Sequence, residues 1–254
     1  KAEAAVAAMK PGDILCLENT RFHQGEEKND PLFVAELAKL GDLWVNDAFS
    51  AAHRAHASTE GLGHTLPAYA GRTMQAELEA LGKALEAPKK PVIAIVGGAK
   101  VSTKLELLEN LISRVEALVI GGAMANTFLH AQGLSVGKSL VEKDMADTAR
   151  RILDKAENGN CAIILPVDAI VAFHFQANAP SHAYGVDAIP DEGMMLDVGE
   201  QSIERVKGAI DGAATLVWNG PMGAFELNPF DKATVEIARY AAARTKAGKL
   251  VSVA

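Results

Sequence analysis

Apolar positions recur along this chain with two periods. Short runs of apolar, often β-branched residues predict buried strands, and apolar residues spaced three and four apart predict helices packed by one face. The clearest stretch is residues 91–104, PVIAIVGGAKVSTK. Val92–Val96 predicts a strand and Gly97-Gly98 a tight turn. Leu105, Leu108, Leu111 and Ile112 predict a helix starting at Ser102. Beyond it the alternation is regular. Strands are predicted at 118–120, 162–165, 215–218 and 250–253, and helices at 125–131, 143–157, 203–210 and 232–246. Strands alternating with helices imply an α/β fold, with a mostly parallel sheet covered on both faces.

The first ninety residues follow the same alternation less regularly. Residues 1–10 read as the end of a helix closed by Pro11-Gly12. Residues 14–17 predict a short buried strand, 31–40 a helix opened by Pro31, and 43–45 a second strand. Gly25 to Asp30 reads as a polar loop, and Gly61, Gly63 and Pro67 as turns. Residues 73–87 predict an amphipathic helix with Met74, Leu78, Leu81 and Leu85 on one face. Pro88 and Pro91 bound the turn after it, which places a domain boundary there.

Composition narrows the class. With 254 residues, 49% of them hydrophobic, the chain can build one large or two small cores. A net charge of −7 gives no general basic surface for nucleic acid, but local cations still set the field in a cleft. No apolar run reaches transmembrane length, and no signal peptide is visible. Cys16 and Cys161 lie in apolar, strand-like runs and are expected as reduced, buried thiols, which fits a cytoplasmic location. The chain opens inside a helical pattern and stops at Ala254 in a strand pattern, so it reads as a segment of something longer.

Candidate chemistry lies where strands end. Glycines admit close approach of backbone N–H groups, and the first N–H groups of a helix lack internal partners. Gly97-Gly98, followed by Lys100 and Lys104, is therefore an anion-site candidate, and an ordinary turn with solvated lysines fits the same residues. Gly121-Gly122 and Gly220 to Gly223 follow two more predicted strands. Three such loops at the carboxyl edge of one sheet would leave room for a nucleotide. Arg21 and Arg54 follow the two strands predicted in the first half. They read either as partners of Glu18 or Asp47, or as a pair that grips an anionic substrate. Residues 133–139 miss the P-loop spacing by one residue and follow a helix, so they read as a surface turn. Gly61-Leu62-Gly63 lacks the last glycine of a dinucleotide fingerprint. His53 and His56 have zinc-like spacing without a third ligand, and Trp44 and Trp218 read as core.

Seven stretches together resemble the phosphoglycerate kinase family: LENTRFH (17–23), VNDAFSAAHRAHAS (45–58), AIVGGAKVSTK (94–104), IGGAMANTF (120–128), LPVD (165–168), LDVG (196–199) and VWNGPMGAFE (217–226). They stand in that family's order over essentially the whole chain. The resemblance implies two Rossmann-like parallel-sheet domains, both incomplete at the chain ends. Residues 1–72 would be the phosphoglycerate-binding part, 73–90 a hinge helix and 91–254 the nucleotide-binding domain. It implies reversible phosphoryl transfer between 1,3-bisphosphoglycerate and ADP, giving 3-phosphoglycerate and ATP, in a monomer. Lys104 would be catalytic, and Arg21 and Arg54 would hold phosphoglycerate. Gly97, Gly98, Lys100, Lys104, Gly121, Gly122, Leu196, Asn219 and Glu226 would bind the nucleotide. Ala123 stands where many relatives have a third glycine. Mg2+ would accompany the nucleotide, its protein ligand lying in a GGGDT motif expected beyond Ala254. An Asp-x-Asn motif, a further arginine and an HLGRP loop are also without counterpart here. The 254 residues alone are expected to be inactive or nearly so. A non-catalytic nucleotide-binding module would not need Arg21 and Arg54, and a dinucleotide-dependent dehydrogenase would need the missing fingerprint.

Overall fold

A computed structural model describes residues 1–82 and 86–254. The chain divides into two compact units, Lys1–Lys83 and Ala84–Ala254.

The first unit opens with helix α1 (Ala2–Ala7), followed by a 3-10 turn at Thr20–Phe22. Helices α2 (Gln24–Glu27) and α3 (Pro31–Ala38) come next. Pro31 sits in the first turn of α3, and the Asp30 side chain accepts the Leu32 N–H at 2.8 Å as the cap. Strand β1 (Trp44–Asn46), a short helix α4 (Leu62–Thr65), strand β2 (Ala68–Ala70) and helix α5 (Arg72–Leu81) complete the unit. β1 and β2 pair in parallel. Leu85, expected on the apolar face of the 73–87 helix, lies outside the described residues. Met74 is buried, whereas Leu78 is exposed.

Four expectations fail in this unit. Residues 14–17 form no strand, and Ile14 is 96% exposed. A strand exists by pairing, and no ladder partner reaches this run among the described residues, so its apolar sequence alone does not make one. Cys16 shares that run and is exposed rather than buried. Residues 25–30, read as loop, begin inside α2, and β2 lies where only turns were predicted.

The second unit holds the regular α/β pattern. Its elements are β3 (Val92–Val96), α6 (Leu105–Ile112), β4 (Ala117–Ile120), α7 (Gly122–Ala131), α8 (Ala146–Asn158) and β5 (Ala162–Ile164). Then follow β6 (Asp168–Ala172), β7 (Ser181–Gly185), β8 (Met194–Val198), α9 (Glu200–Asp211), β9 (Thr215–Asn219), α10 (Lys232–Lys246) and β10 (Val251–Val253). Five strands form a parallel sheet in the order β10-β9-β3-β4-β5.

Alternate side chains of β3 point to opposite faces, and each face has its own core. Val92, Ala94 and Val96 pack with Leu108, Phe128 and Ile152 from α6, α7 and α8. Ile93 and Ile95 pack with Ile203, Ile210 and Ile237 from α9 and α10. All five residues of β3 are buried, which is why this strand reads as a continuous apolar run. The unpredicted part is a second, antiparallel sheet, β7-β6-β8.

Candidate functional site

β9, β3 and β4 are neighbours and parallel, so their carboxyl ends share one edge. Val96 is level with Ile120 on one side and with Asn219 on the other. The next residues, Gly97, Gly121 and Gly220, therefore emerge side by side. Their loops are bonded to one another. The Gly97 N–H donates to the Asn219 carbonyl (2.8 Å), and the Gly122 N–H donates to the Met222 carbonyl (2.8 Å). The Met124 N–H, in the first turn of α7, donates to the Gly98 carbonyl (2.8 Å).

Glycine is required here by closeness. A Cβ on Gly97 would lie 1.8 Å from the Pro221 carbonyl oxygen. One on Gly122, whose φ is +65°, would lie 2.7 Å from the Gly98 carbonyl oxygen.

Lys104 spans this edge. Its Nζ donates to the Gly97 carbonyl (2.6 Å) and to the Asn219 Oδ1 (2.6 Å), with the Asn219 carbonyl at 3.4 Å. Burial holds its pKa below the ordinary lysine value. Lys100 is exposed on the same loop. The helix predicted from Ser102 begins instead at Leu105. Residues 101–104 form a turn in which the Ser102 N–H (3.1 Å) and hydroxyl both donate to the Glu142 carboxylate. The Glu142 N–H donates to the Thr127 hydroxyl of α7 (3.1 Å), so Glu142 ties the lysine loop to that helix.

A cavity of about 610 Å³ opens beside these loops, within the range of small-molecule sites. Gly98, Gly122, Leu196 and Glu226 line it, together with the apolar side chains of Leu140 and Phe225. Gly97, Gly121 and Asn219 are not among its lining residues. Lys104 lies next to Gly98, its Nζ 3.5 Å from where a Gly98 Cβ would stand.

Two buried aspartates support the site, and the sequence reading missed both. Asp168, at the start of β6, accepts the N–H groups of Gln201 (3.0 Å) and Ser202 (2.8 Å) and the Ser202 hydroxyl (2.6 Å), capping α9. Asp197, in β8, accepts the N–H of Val198 (2.9 Å) and that of Ala233 (3.0 Å) in the first turn of α10. Burial raises the Asp197 pKa to about 7, against the lowering effect of those two bonds. The available signal was an aspartate within each of LPVD and LDVG, but the short β6 and β8 carry alanines and methionines that read weakly as strand.

The first unit positions Arg21 and Arg54. Arg21 sits in the Thr20–Phe22 turn, where its N–H donates to the Asn19 side chain (3.0 Å). Arg54 is exposed, its Nε 3.4 Å from the His53 Nε2. Glu26, buried in α2, accepts the Ser58 N–H (3.0 Å) and the Ser58 hydroxyl, which joins the segment after Arg21 to the one after Arg54. Glu18 and Asp47, the alternative partners of the arginines, each accept a backbone N–H group. Glu18 accepts the Asn19 N–H (2.8 Å), and Asp47 accepts the Met74 N–H (2.9 Å) at the start of α5. Among the described residues neither arginine forms an ion pair.

Among the described residues no three His, Cys, Asp or Glu side chains gather as a metal site, and no helix is long and apolar enough to cross a membrane.

Known proteins resemble this chain in sequence and fold. Residues 1–254 match the family model described as phosphoglycerate kinase. A phosphoglycerate kinase of Rhodopseudomonas palustris is 79% identical over 253 residues, and one of Bradyrhizobium diazoefficiens is 77% identical. Each alignment covers 100% of this chain and 64% of the relative, so the chain spans about two thirds of those proteins. The solved phosphoglycerate kinase of Coxiella burnetii aligns with a TM-score of 0.85 at 39% identity, over 97% of this chain and 68% of that one. That of Pyrococcus horikoshii gives 0.78 at 30% identity, over 94% and 62%. With a family match over its whole length and an α/β fold shared with solved members, this chain belongs to the phosphoglycerate kinase family.

Proposed function

We propose that the chain carries two half-sites of an enzyme that moves a phosphoryl group reversibly between 1,3-bisphosphoglycerate and ADP. In the forward direction the bond from phosphorus to the acyl oxygen breaks and the bond to the ADP terminal oxygen forms, leaving 3-phosphoglycerate and ATP. That ADP oxygen is already anionic, so the reaction needs no general base. The task is to position the partners and stabilise negative charge on the transferring group.

One observation carries this reading. Lys104 holds its ammonium at the edge of three interlocked glycine loops, bonded among the described residues only to neutral oxygens. A cation without a carboxylate partner keeps its field for an incoming phosphate. In this reading Lys104 stabilises the transferring group and Lys100 draws in the nucleotide phosphates. Gly98, Gly122, Leu196 and Asn219 shape the nucleotide pocket, and Glu226 at its rim accepts from the ribose hydroxyls. Arg21 and Arg54 grip phosphoglycerate, and their lack of ion pairs among the described residues favours this over a nucleotide-binding module without chemistry. In this reading residues 73–90 are the hinge segment between the two half-sites. Mg2+ would arrive on the nucleotide phosphates and offset their charge; the described residues do not form a site for it. The same reading places the protein in the cytoplasm as a monomer.

Calorimetric titration of MgADP into the chain tests the nucleotide half. Binding with a Kd below about 1 mM, roughly 4 kcal/mol of affinity, is expected. No binding at that concentration overturns the reading. Turnover by the 254 residues alone is expected to be absent or slight.

A further inference from the structure

Asp197 is a puzzle of cost. It is only 5% exposed, and burial disfavours its charge, yet an asparagine of the same shape would carry none. The charges facing it do not resolve this. Asp231 opposes its ionisation and Lys232 favours it, and Lys232 is itself 3.1 Å from Glu200. Asp168, on the neighbouring strand, is engaged at α9.

Its contacts lead to the nucleotide cavity. The Asp197 Oδ2 fixes the Ala233 N–H (3.0 Å), which sets the start of α10. The next residue, Thr234, accepts the Met222 N–H on its hydroxyl (2.9 Å). The Met222 carbonyl in turn accepts the Gly122 N–H (2.8 Å). On the other side the Asp197 Oδ1 stands 2.3 Å from where a Gly223 Cβ would be, so the loop leading to Glu226 lies directly over the carboxylate. The adjacent Leu196 carbonyl accepts the Ala224 N–H (2.6 Å). One buried carboxylate thus anchors a continuous set of bonds joining β8, the first turn of α10, the 220–226 loop and the glycine turn at 121–122.

Resting on the nucleotide reading above, we propose that Asp197 is a positioning residue: it sets the 220–226 loop, and with it Glu226, at the geometry that accepts the nucleotide. The carboxylate is kept because it can accept two backbone N–H groups at once, whereas an asparagine would present an NH2 to one of them.

The test separates stability from affinity in the Asp197→Asn variant of the whole chain. Native Asp197 holds its proton to about pH 7. The unfolded chain releases it near the ordinary aspartate value, so ionisation of this group lowers stability as pH rises between the two and leaves it low above pH 7. At pH 8 the variant is therefore expected to melt no lower than the parent. ADP binding is expected to weaken about tenfold. An Asp197→Asn chain that binds ADP like the parent overturns the inference. Should that variant not fold, Thr234→Val decides: it removes the next bond from outside the cavity lining, weaker ADP binding is expected, and unchanged binding overturns the proposal. A parent chain that takes no ADP overturns the nucleotide reading, and this inference with it.

Discussion

The Lys104 ammonium lies 2.6 Å from the Asn219 side-chain oxygen, across 115 residues of sequence. This contact, with the equal one to the Gly97 carbonyl, ties the loops after β3 and β9 through one cation. Neutral acceptors hold the ammonium in place without cancelling its charge. On the proposed reading, a group so placed would act on charge that develops in the transition state. Lys104→Ala is therefore expected to lower kcat of the full-length enzyme by about 10²–10³-fold, while nucleotide KM changes far less. Steady-state kinetics with both substrates varied checks it. An unchanged kcat would remove Lys104 from the chemistry.

Gly97 tests the packing of the same edge. A methyl group there meets the Pro221 backbone at 1.8 Å, and backbone cannot rotate away as a side chain can. Gly97→Ala is expected to destabilise the second unit by about 1–3 kcal/mol, as overpacking does, and to weaken ADP binding because the 220–223 loop must shift. Urea unfolding should show a lower midpoint with an unchanged slope. A variant that keeps both its midpoint and its ADP affinity would mean that the loops yield more easily than their bonds imply.

The alternation of the second unit was legible because burial on both faces forces β3 and β4 to be apolar throughout, and because α10 has an apolar face long enough to read. Residues 91–98 and 215–223 announced the site for a related reason: where loops interlock within 3 Å, only glycine fits, and glycine shows in sequence. The sheet β7-β6-β8 stayed hidden, since strands such as SHAYG mix exposed and half-buried positions and carry alanine and glycine. Residues 14–17 misled in the opposite direction, since apolar content alone supplies no ladder partner. Asp168, Asp197 and Glu142 were invisible as site supports because their partners lie 33 to 40 residues away. Such contacts have no local spacing to recognise.

Arg54 offers a readout in the other unit. It is exposed and forms no ion pair among the described residues, so removing it leaves no buried charge behind. Arg54→Ala is expected to leave the melting temperature within about 2 °C, as for a surface substitution of under 0.5 kcal/mol. The KM for 3-phosphoglycerate should rise about tenfold or more, the loss of one charge-assisted contact of about 1.5–3 kcal/mol, with nucleotide KM unchanged. An effect confined to the nucleotide would place Arg54 at the wrong substrate.

Glu142 clasps the turn before α6 to α7. Burial pushes the carboxyl up, but the bonds from the Ser102 hydroxyl and N–H and from the Val101 N–H, with the Lys100 charge nearby, outweigh it and hold the pKa below the ordinary glutamate value. A lowered carboxyl pKa adds stability that is present above the unfolded value and is lost as pH falls through the folded one. Glu142→Gln is therefore expected to destabilise the second unit at pH 7 by about 1–2 kcal/mol, the loss of charge-assisted bonds. The gap to the parent should close in the acid range, below pH 4.5. Hydrogen exchange distinguishes this clasp from a general loosening. The Ser102 amide, whose partner is the carboxylate itself, should exchange faster, while the Val119 and Ile120 amides of β4 keep the parent rates. Uniform acceleration across the unit would show that Glu142 supports the whole fold rather than the turn that carries Lys100 and Lys104.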